Sequence, residues 1–364
     1  MGLEIGIVGL PNSGKSTLFN ALTAAHAAVA GYPFSTVEPN VGVVPLSDPR
    51  LEELSRRAGC EKTVPATVRF VDIAGLVEGA HRGEGLGNRF LSHIREVDAV
   101  AHTVRCFEDP DVAHIAAELD PARDIAIVNT ELILADLESV DRRLGSIAKA
   151  ARSGDKEKQS ELAALQKVRE GLDGGKPARS LELSPGEREL LAPLFLLTLK
   201  PVIYVANLGE ELLPDGGELM AAVRGAAAAE GAECVAFCAK LESELEELEP
   251  QDLAEFLAGY GLEELGLRKL VAASFRLLGL ITFFTTESKE CRAWPVRRGT
   301  RAAEAAGKIH SDMEAGFIRA EVIPFEDFMR FGSMNAAREA GALHAEGRDY
   351  QVRDGDVIRF RFNV

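Results

Sequence analysis

The chain has 364 residues, 46% of them hydrophobic and 27% charged, with a formal net charge of −16. That length accommodates two or three domains with cores of their own, and the balance of residue types is that of a soluble globular protein. The acidic excess argues against a broad basic surface for nucleic acid. It is unevenly spread, because residues 280–364 carry about thirteen charges of each sign, so a local nucleic-acid contact in that part stays open. No apolar run approaches the roughly 18 residues of a membrane span, and no signal peptide precedes the first strand, so no membrane partner is expected. Cys60, Cys106, Cys234, Cys238 and Cys291 are scattered and odd in number. Cys234 and Cys238 lack His or Cys partners nearby, so zinc is not expected. Five free thiols in a reducing cytoplasm are the expectation.

Residues 1–118 alternate strand and helix patterns, with strands predicted at 3–8, 41–45, 67–72 and 99–105. This is the signature of a mainly parallel sheet covered by helices, an α/β fold. LEIGIV leads into GLPNSGKS at 9–16 and then into the helical TLFNALTAA, the setting that the phosphate-loop pattern G-x-x-x-x-G-K-[ST] requires. Backbone N–H groups from Asn12 through Ser13, Gly14 and Lys15 to Ser16 can wrap phosphates, and the helix N-terminus, with Thr17 in its first turn, adds its positive end. Lys15 reaches the outer phosphates and counts as catalytic; Ser16 is the first Mg²⁺ ligand. Thr36, about twenty residues past Lys15 in GYPFSTVEPNVGVV, completes the metal shell and touches the γ-phosphate. Asp72 closes the strand TVRFVD and holds a metal-bound water, while Gly75 presents its N–H to the γ-phosphate. HRGEGLG, just beyond, reads as a second switch.

At Asp120-Pro121 the pattern turns helical. Ile133, Leu137, Val140, Leu144 and Ile147 repeat at 4-3-4-3, and Leu162, Leu165 and Leu172 continue on a returning helix after SGDKEKQ. A projecting antiparallel coiled-coil hairpin is expected over 120–196, inserted into a nucleotide-binding domain made of 1–119 and 197–279. The α/β pattern resumes at KPVIYVAN (200–207), followed by a helix and CVAFCAK (234–240). From 280 to 364 short strands such as ITFFTT and DVIRFRFNV indicate a β-rich domain with one helix near 301–314. There Arg292, Arg297, Arg298 and Arg301 surround Trp294, a combination that suits RNA or a plain solvated face.

Base recognition falls to Asn207, Leu208, Gly209 and Glu210. Guanine-specific sites carry N-K-x-D here, and this chain has neither that Lys nor that Asp. Asn207 can pair with a purine, and Cys238, Ala239 and Lys240 can place backbone N–H groups beside the base. Weakened guanine selectivity follows, which admits adenine.

GLPNSGKST, PFSTVEPNVGVVP, VDIAGLVEGA, GEGLGNRFLSHIRE, VRCF and NLGE, with the C-terminal β domain, together resemble the YchF/Obg-like ATPase family across the whole chain. The resemblance implies an α/β P-loop NTPase domain, a coiled-coil insertion and a C-terminal TGS domain of β-grasp form. It also implies slow hydrolysis favouring ATP over GTP, and association with ribosomes. Leu76 stands where Ras-like enzymes orient water with Gln. His81 and His114 are the alternatives for that role, and the family resemblance favours His114. Asn12 can help hold K⁺ against the phosphates beside Mg²⁺. The expected protein is a monomeric, cytoplasmic, ribosome- or rRNA-associated ATPase switch. A nucleotide-binding scaffold without a needed hydrolysis step and a GTP-preferring Obg-type GTPase are the alternatives.

Overall fold

The structure, a computed structural model, describes residues 3–27, 40–73, 86–109, 118–152, 155–245, 248, 250–287 and 289–363. The chain divides into two compact units, Met1–Val43 with Arg69–Ser274 and Val44–Val68 with Phe275–Val364. In chain order, β1 (Glu4–Val8) leads to α1 (Lys15–Ala27) and β2 (Val41–Pro45). Next come α2 (Pro49–Ala58), β3 (Lys62–Val64), β4 (Thr67–Asp72), α3 (Leu86–Glu96) and β5 (Ala99–Cys106). The helices α4 (Pro121–Arg152), α5 (Lys156–Asp173) and α6 (Pro185–Leu191) precede β6 (Val202–Leu208). Then follow α7 (Gly217–Ala229), β7 (Glu233–Phe237), α8 (Ala239–Leu245), α9 (Pro250–Gly259) and α10 (Gly266–Leu277).

The first unit is an α/β layer structure on a six-stranded sheet of order β2-β4-β1-β5-β6-β7. β1 pairs in parallel with β4 and β5, and β5, β6 and β7 continue in parallel. β5 and β6 are buried at every residue, which is why AVAHTVRC and VIYVANL read as near-continuous apolar runs. The core packs Val8, Phe90, Ile94, Val104, Tyr204 and Val223. Because these strands are parallel, the segments leaving β1, β4, β5 and β6 emerge at one edge of the sheet, where α/β folds bind ligands.

The helical insertion is anchored at its base. Ile125, Val128, Leu132 and Ala135 of α4 lie in the sheet's core, and from Ile133 onward another face of α4 packs in the cluster it shares with α5. There Ile133, Val140 and Ile147 pack against Ala164, Leu165, Val168 and Leu172. Leu137 and Leu144 sit at the border of that cluster, half-buried, so the buried stripe follows every seventh residue. Leu191 and Leu196 join the same cluster, so the seam is covered on a further side by α6 and the segment after it. Asp136, wholly buried, accepts the backbone N–H groups of Leu197 and Thr198 at 2.8 Å each and the Thr198 hydroxyl at 2.6 Å. That carboxylate fastens the returning chain to α4.

The second unit adds β8 (Leu280–Glu287), β9 (Glu290–Arg297), α11 (Ala302–Ile309), α12 (Ser311–Ala315) and β10 (Phe317–Pro324). It ends with α13 (Phe325–Phe331), α14 (Met334–Glu339), β11 (His344–Glu346) and β12 (Asp356–Phe362). Its mixed sheet has the order β11-β10-β12-β8-β9-β3. β8 and β9 form an antiparallel hairpin, and β12 lies parallel to β8 with Val357 opposite Phe284. Ala302 and Ala306 of α11 pack on Phe283, Val296, Val322 and Ile358. Trp294 does not stand apart: its ring stacks on Phe283, its Nε1–H donates to Thr285 at 3.0 Å, and the Arg292 guanidinium lies 4.1 Å from its centroid.

Residues 44–68, which chain order assigns to 1–119, fold in this second unit. β3 runs parallel to β9, with Lys62 opposite Glu290 and Val64 opposite Arg292. α2 is capped by Asp48, begins on Pro49 and ends on Gly59 in the left-handed region at φ 67°. The expectation of five free thiols is corrected here, since Cys60 and Cys291 form a disulfide with Cα atoms 5.9 Å apart. The β3–β9 pairing brings them together across 231 residues of sequence, a proximity no local pattern encodes. Cys106, Cys234 and Cys238 are free.

Candidate nucleotide-binding site

The loop between β1 and α1 sits at the sheet's carboxyl edge and is shaped by left-handed residues. Gly9, Asn12 and Gly14 have φ of 154°, 63° and 92°. A Cβ on Gly14 would stand 2.1 Å from the Asn207 amide nitrogen, and one on Gly9 would stand 2.4 Å from the Thr103 carbonyl oxygen. Glycine is required at both, by backbone conformation and by the closeness of β5 and β6. Leu18 N–H donates to Gly14 O at 2.8 Å, so the helix starts inside the motif and its first amides face the loop. Ser16 and Thr17 are exposed on that first turn, and Asn12 is exposed at the loop's lip.

Lys15 is 7% exposed, and its Nζ donates to Leu10 O at 2.7 Å. Burial pushes its ammonium pKa down to about 8, against the attraction of Asp72. The converse holds at Asp72: burial raises its carboxyl pKa and the Lys15 charge opposes the rise. The two groups therefore sense one another across the site. Asp72 ends β4 opposite Ile7, two residues before Gly9, and its N–H donates to Asn40 O at 2.9 Å. Ser13 is buried, and its hydroxyl has no hydrogen-bonding partner among the described residues.

Asn207, 3% exposed, is a strap across the site. Its Nδ2 donates to Ser13 O at 3.2 Å, and its Oδ1 accepts the Ala239 N–H at 3.2 Å. One amide thus ties the end of β6 to the phosphate loop and to the start of α8. The Ala239 N–H is spent on this bond, and the Cys238 N–H donates to Glu242 at 3.4 Å, so both are engaged within the protein. Leu208 is buried in the sheet's core, which leaves only its backbone facing the edge. Glu210 pairs with Lys240 at 3.1 Å, both side chains reaching solvent. The structure thus gathers Asn12 to Thr17, Asp72, Asn207 to Glu210 and Cys238 to Lys240 at one sheet edge. Thr36, Gly75, Leu76, His81 and His114 lie outside the described residues.

Arg105 is a contributor to which the sequence assigns no role. It is 3% exposed at the end of β5, with Nη1 donating to Asn12 O at 3.4 Å and Nε to Phe107 O at 3.2 Å. Its guanidinium lies 4.5 Å from the Phe107 ring centroid. It braces the carbonyl of the left-handed Asn12 from below. The available signals were a lone full-time charge inside the mostly apolar strand AVAHTVRC and its place in the string VRCF.

A parallel sheet, a loop of positive-φ residues, a buried lysine and a helix beginning at that lysine define a P-loop nucleotide-binding domain. Residues 4–136 match a family described as "50S ribosome-binding GTPase", and residues 280–363 match the YchF C-terminal family, described as a protein of unknown function. The chain is 50% identical over 366 residues to "Ribosome-binding ATPase YchF" of Bacillus subtilis and 49% identical over 364 residues to that of Escherichia coli O157:H7, covering 100% of both chains in each case. It is similar to the Schizosaccharomyces pombe YchF GTPase structure at a TM-score of 0.90 and 34% identity, covering 99% of this chain and 98% of that one. The chain belongs to the YchF family.

Proposed function

We propose that this protein is a ribosome-associated P-loop ATPase that hydrolyses ATP slowly to ADP and phosphate and acts as a nucleotide-dependent switch. The two bacterial relatives carry the name ribosome-binding ATPase and the Schizosaccharomyces pombe structure the name GTPase, and the ATP assignment rests on one observation here: Glu210, the acid nearest the usual guanine-reading position, is held by Lys240. To accept from guanine N1 and N2, Glu210 would have to leave that partner. Adenine makes no such demand, so GTP binds more weakly.

In this reading the amides of Asn12 to Ser16 hold the phosphates, and Lys15 exchanges the Leu10 carbonyl for the outer phosphate oxygens. Asn207 and Arg105 keep the loop in shape from two sides. Ser16 and Asp72 offer a hydroxyl and a carboxylate, the hard oxygen donors that suit Mg²⁺, and Asp72 already lies in the field of Lys15. Bound there, Mg²⁺ would neutralise charge on the phosphates. Thr36 as its further ligand, Gly75 at the γ-phosphate and His114 orienting the water are carried by the sequence. K⁺ beside Asn12 is the second ion of the proposal, supplying positive charge in place of an arginine finger. We read α4 and α5 as a coiled-coil hairpin. We read the second unit as a TGS domain, because its hairpin, crossing helix and parallel closing strand are the arrangement of a β-grasp. A cytoplasmic monomer goes with this assignment.

Co-sedimentation with ribosomes tests the switch. The ATP-loaded protein, held by a non-hydrolysable analogue, is expected to pellet to a different extent from the ADP-loaded protein. Equal pelleting in both states would leave a scaffold and remove the switch.

A further inference from the structure

One face of the second sheet carries positive charge that neither its core nor the nucleotide site uses. Arg319 of β10, Arg361 of β12 and Arg338 of α14 converge on the carboxylate of Glu321. Their Nη2 atoms donate to it at 3.3, 3.1 and 2.8 Å. Glu321 is buried, with 5% of its side chain exposed, whereas the three arginine side chains are 53%, 44% and 49% exposed. The register explains the convergence: Arg319 stands opposite Arg361, and Glu321 stands opposite Arg359 on the same face. Arg359 is held separately by Glu287 at 3.4 Å.

One guanidinium balances the charge of one carboxylate. The second and third still fill acceptor sites on its two oxygens, but they add like charge that Glu321 does not neutralise. Burial opposes ionisation of Glu321, yet hydrogen bonds from Arg361 and Arg319 hold its carboxyl below the usual range, so the glutamate stays charged and the cluster keeps an excess of two positive charges. Each guanidinium carries five N–H donors and spends one on Glu321, so most of the donors of three half-exposed forks remain to meet solvent. The forks arrive from three backbone elements and hence from different directions. A planar carboxylate is matched by one coplanar fork, whereas a tetrahedral phosphate takes donors from several sides. On a chain of net charge −16, a fixed positive point of this kind is selective for a polyanion. The ring of Trp294, the other candidate RNA contact in this unit, is already engaged by Phe283 and Arg292.

We propose that Arg319, Arg338 and Arg361, pinned by Glu321, form a phosphodiester-binding site through which the second unit grips an RNA backbone. The inference rests on the ribosome-association reading and names the surface and the partner chemistry. The test uses the full chain with Arg319→Ala and Arg338→Ala combined, which leaves Arg361 to pair Glu321. Binding to a fluorescent ribosomal RNA hairpin is measured across a salt series. Affinity at ~0.1 M salt is expected to fall about tenfold or more, and the slope of log K against log salt to flatten by about 2, while ATP affinity and intrinsic hydrolysis stay unchanged. Unchanged RNA affinity and slope in a natively melting variant would overturn the proposal. Retained RNA binding with loss of ribosome pelleting would overturn it too, by assigning the cluster to a ribosomal protein. If the double variant melts abnormally, Arg338→Ala alone decides, with about half the slope change expected. Failure of the unaltered protein to pellet with ribosomes would instead sink the functional reading of the preceding subsection.

Discussion

At the scale of single residues the phosphate loop is held by three devices of different visibility. Gly14 was legible from the motif, and the structure supplies the reason: its φ of 92° and the Asn207 amide leave no space for a side chain. Gly14→Ala is expected to cost about 2–3 kcal/mol of stability and more than about tenfold in ATP affinity, read by melting and by titration. An unchanged affinity would mean that the loop relaxes freely. Asn207 was expected from the sequence as a base contact; its action as a strap was not legible, because the Ser13 and Ala239 partners lie far away in sequence. Arg105 stood within the family string VRCF, but its role under the loop was not legible, because its Asn12 partner lies 93 residues away. Lys15 brings a pH signature. Its ammonium titrates near 8 when only the protein surrounds it, and polyphosphate favours the charged form. The protonated lysine is therefore the binding form, and ATP affinity falls as pH rises through about 8. Calorimetry at about pH 8.5 in buffers of different ionisation enthalpy should detect net proton uptake on ATP binding, absent at about pH 6.5.

At the scale of elements, the strands flanking the motifs were legible because parallel central strands are buried on both faces and read as apolar runs. The helical insertion was legible from its seven-residue repeat. Its base was not, because the same helix changes partner part-way along, from the sheet's core to α5. α2 is bounded by Asp48, Pro49 and Gly59, signals the sequence reading did not use, whereas β3 is three residues long and gains its identity only from β9. The separateness of the helical cluster has a consequence. Leu165, fully buried between the helices, shares no cluster with the phosphate loop. Leu165→Ala should cost about 2–5 kcal/mol in chemical denaturation and leave ATP affinity unchanged. A matching loss of ATP binding would show that the insertion supports the nucleotide site directly.

At the scale of the whole molecule, a net charge of −16 coexists with three arginines gathered on Glu321, because composition averages over surfaces that the fold separates. The cysteine count misled for the same reason: pairing depends on a strand contact spanning most of the chain. The central claim concerns the nucleotide, where a P-loop of GTPase type is joined to a base-reading edge whose nearest acid, Glu210, is bound to Lys240. Calorimetric titration of nucleotide-free protein with ATP and with GTP, in Mg²⁺ and K⁺ buffer, tests it most directly. Tighter binding of ATP is the predicted result. Binding of GTP tighter by tenfold, about 1.4 kcal/mol, would contradict the account and make the protein a GTPase.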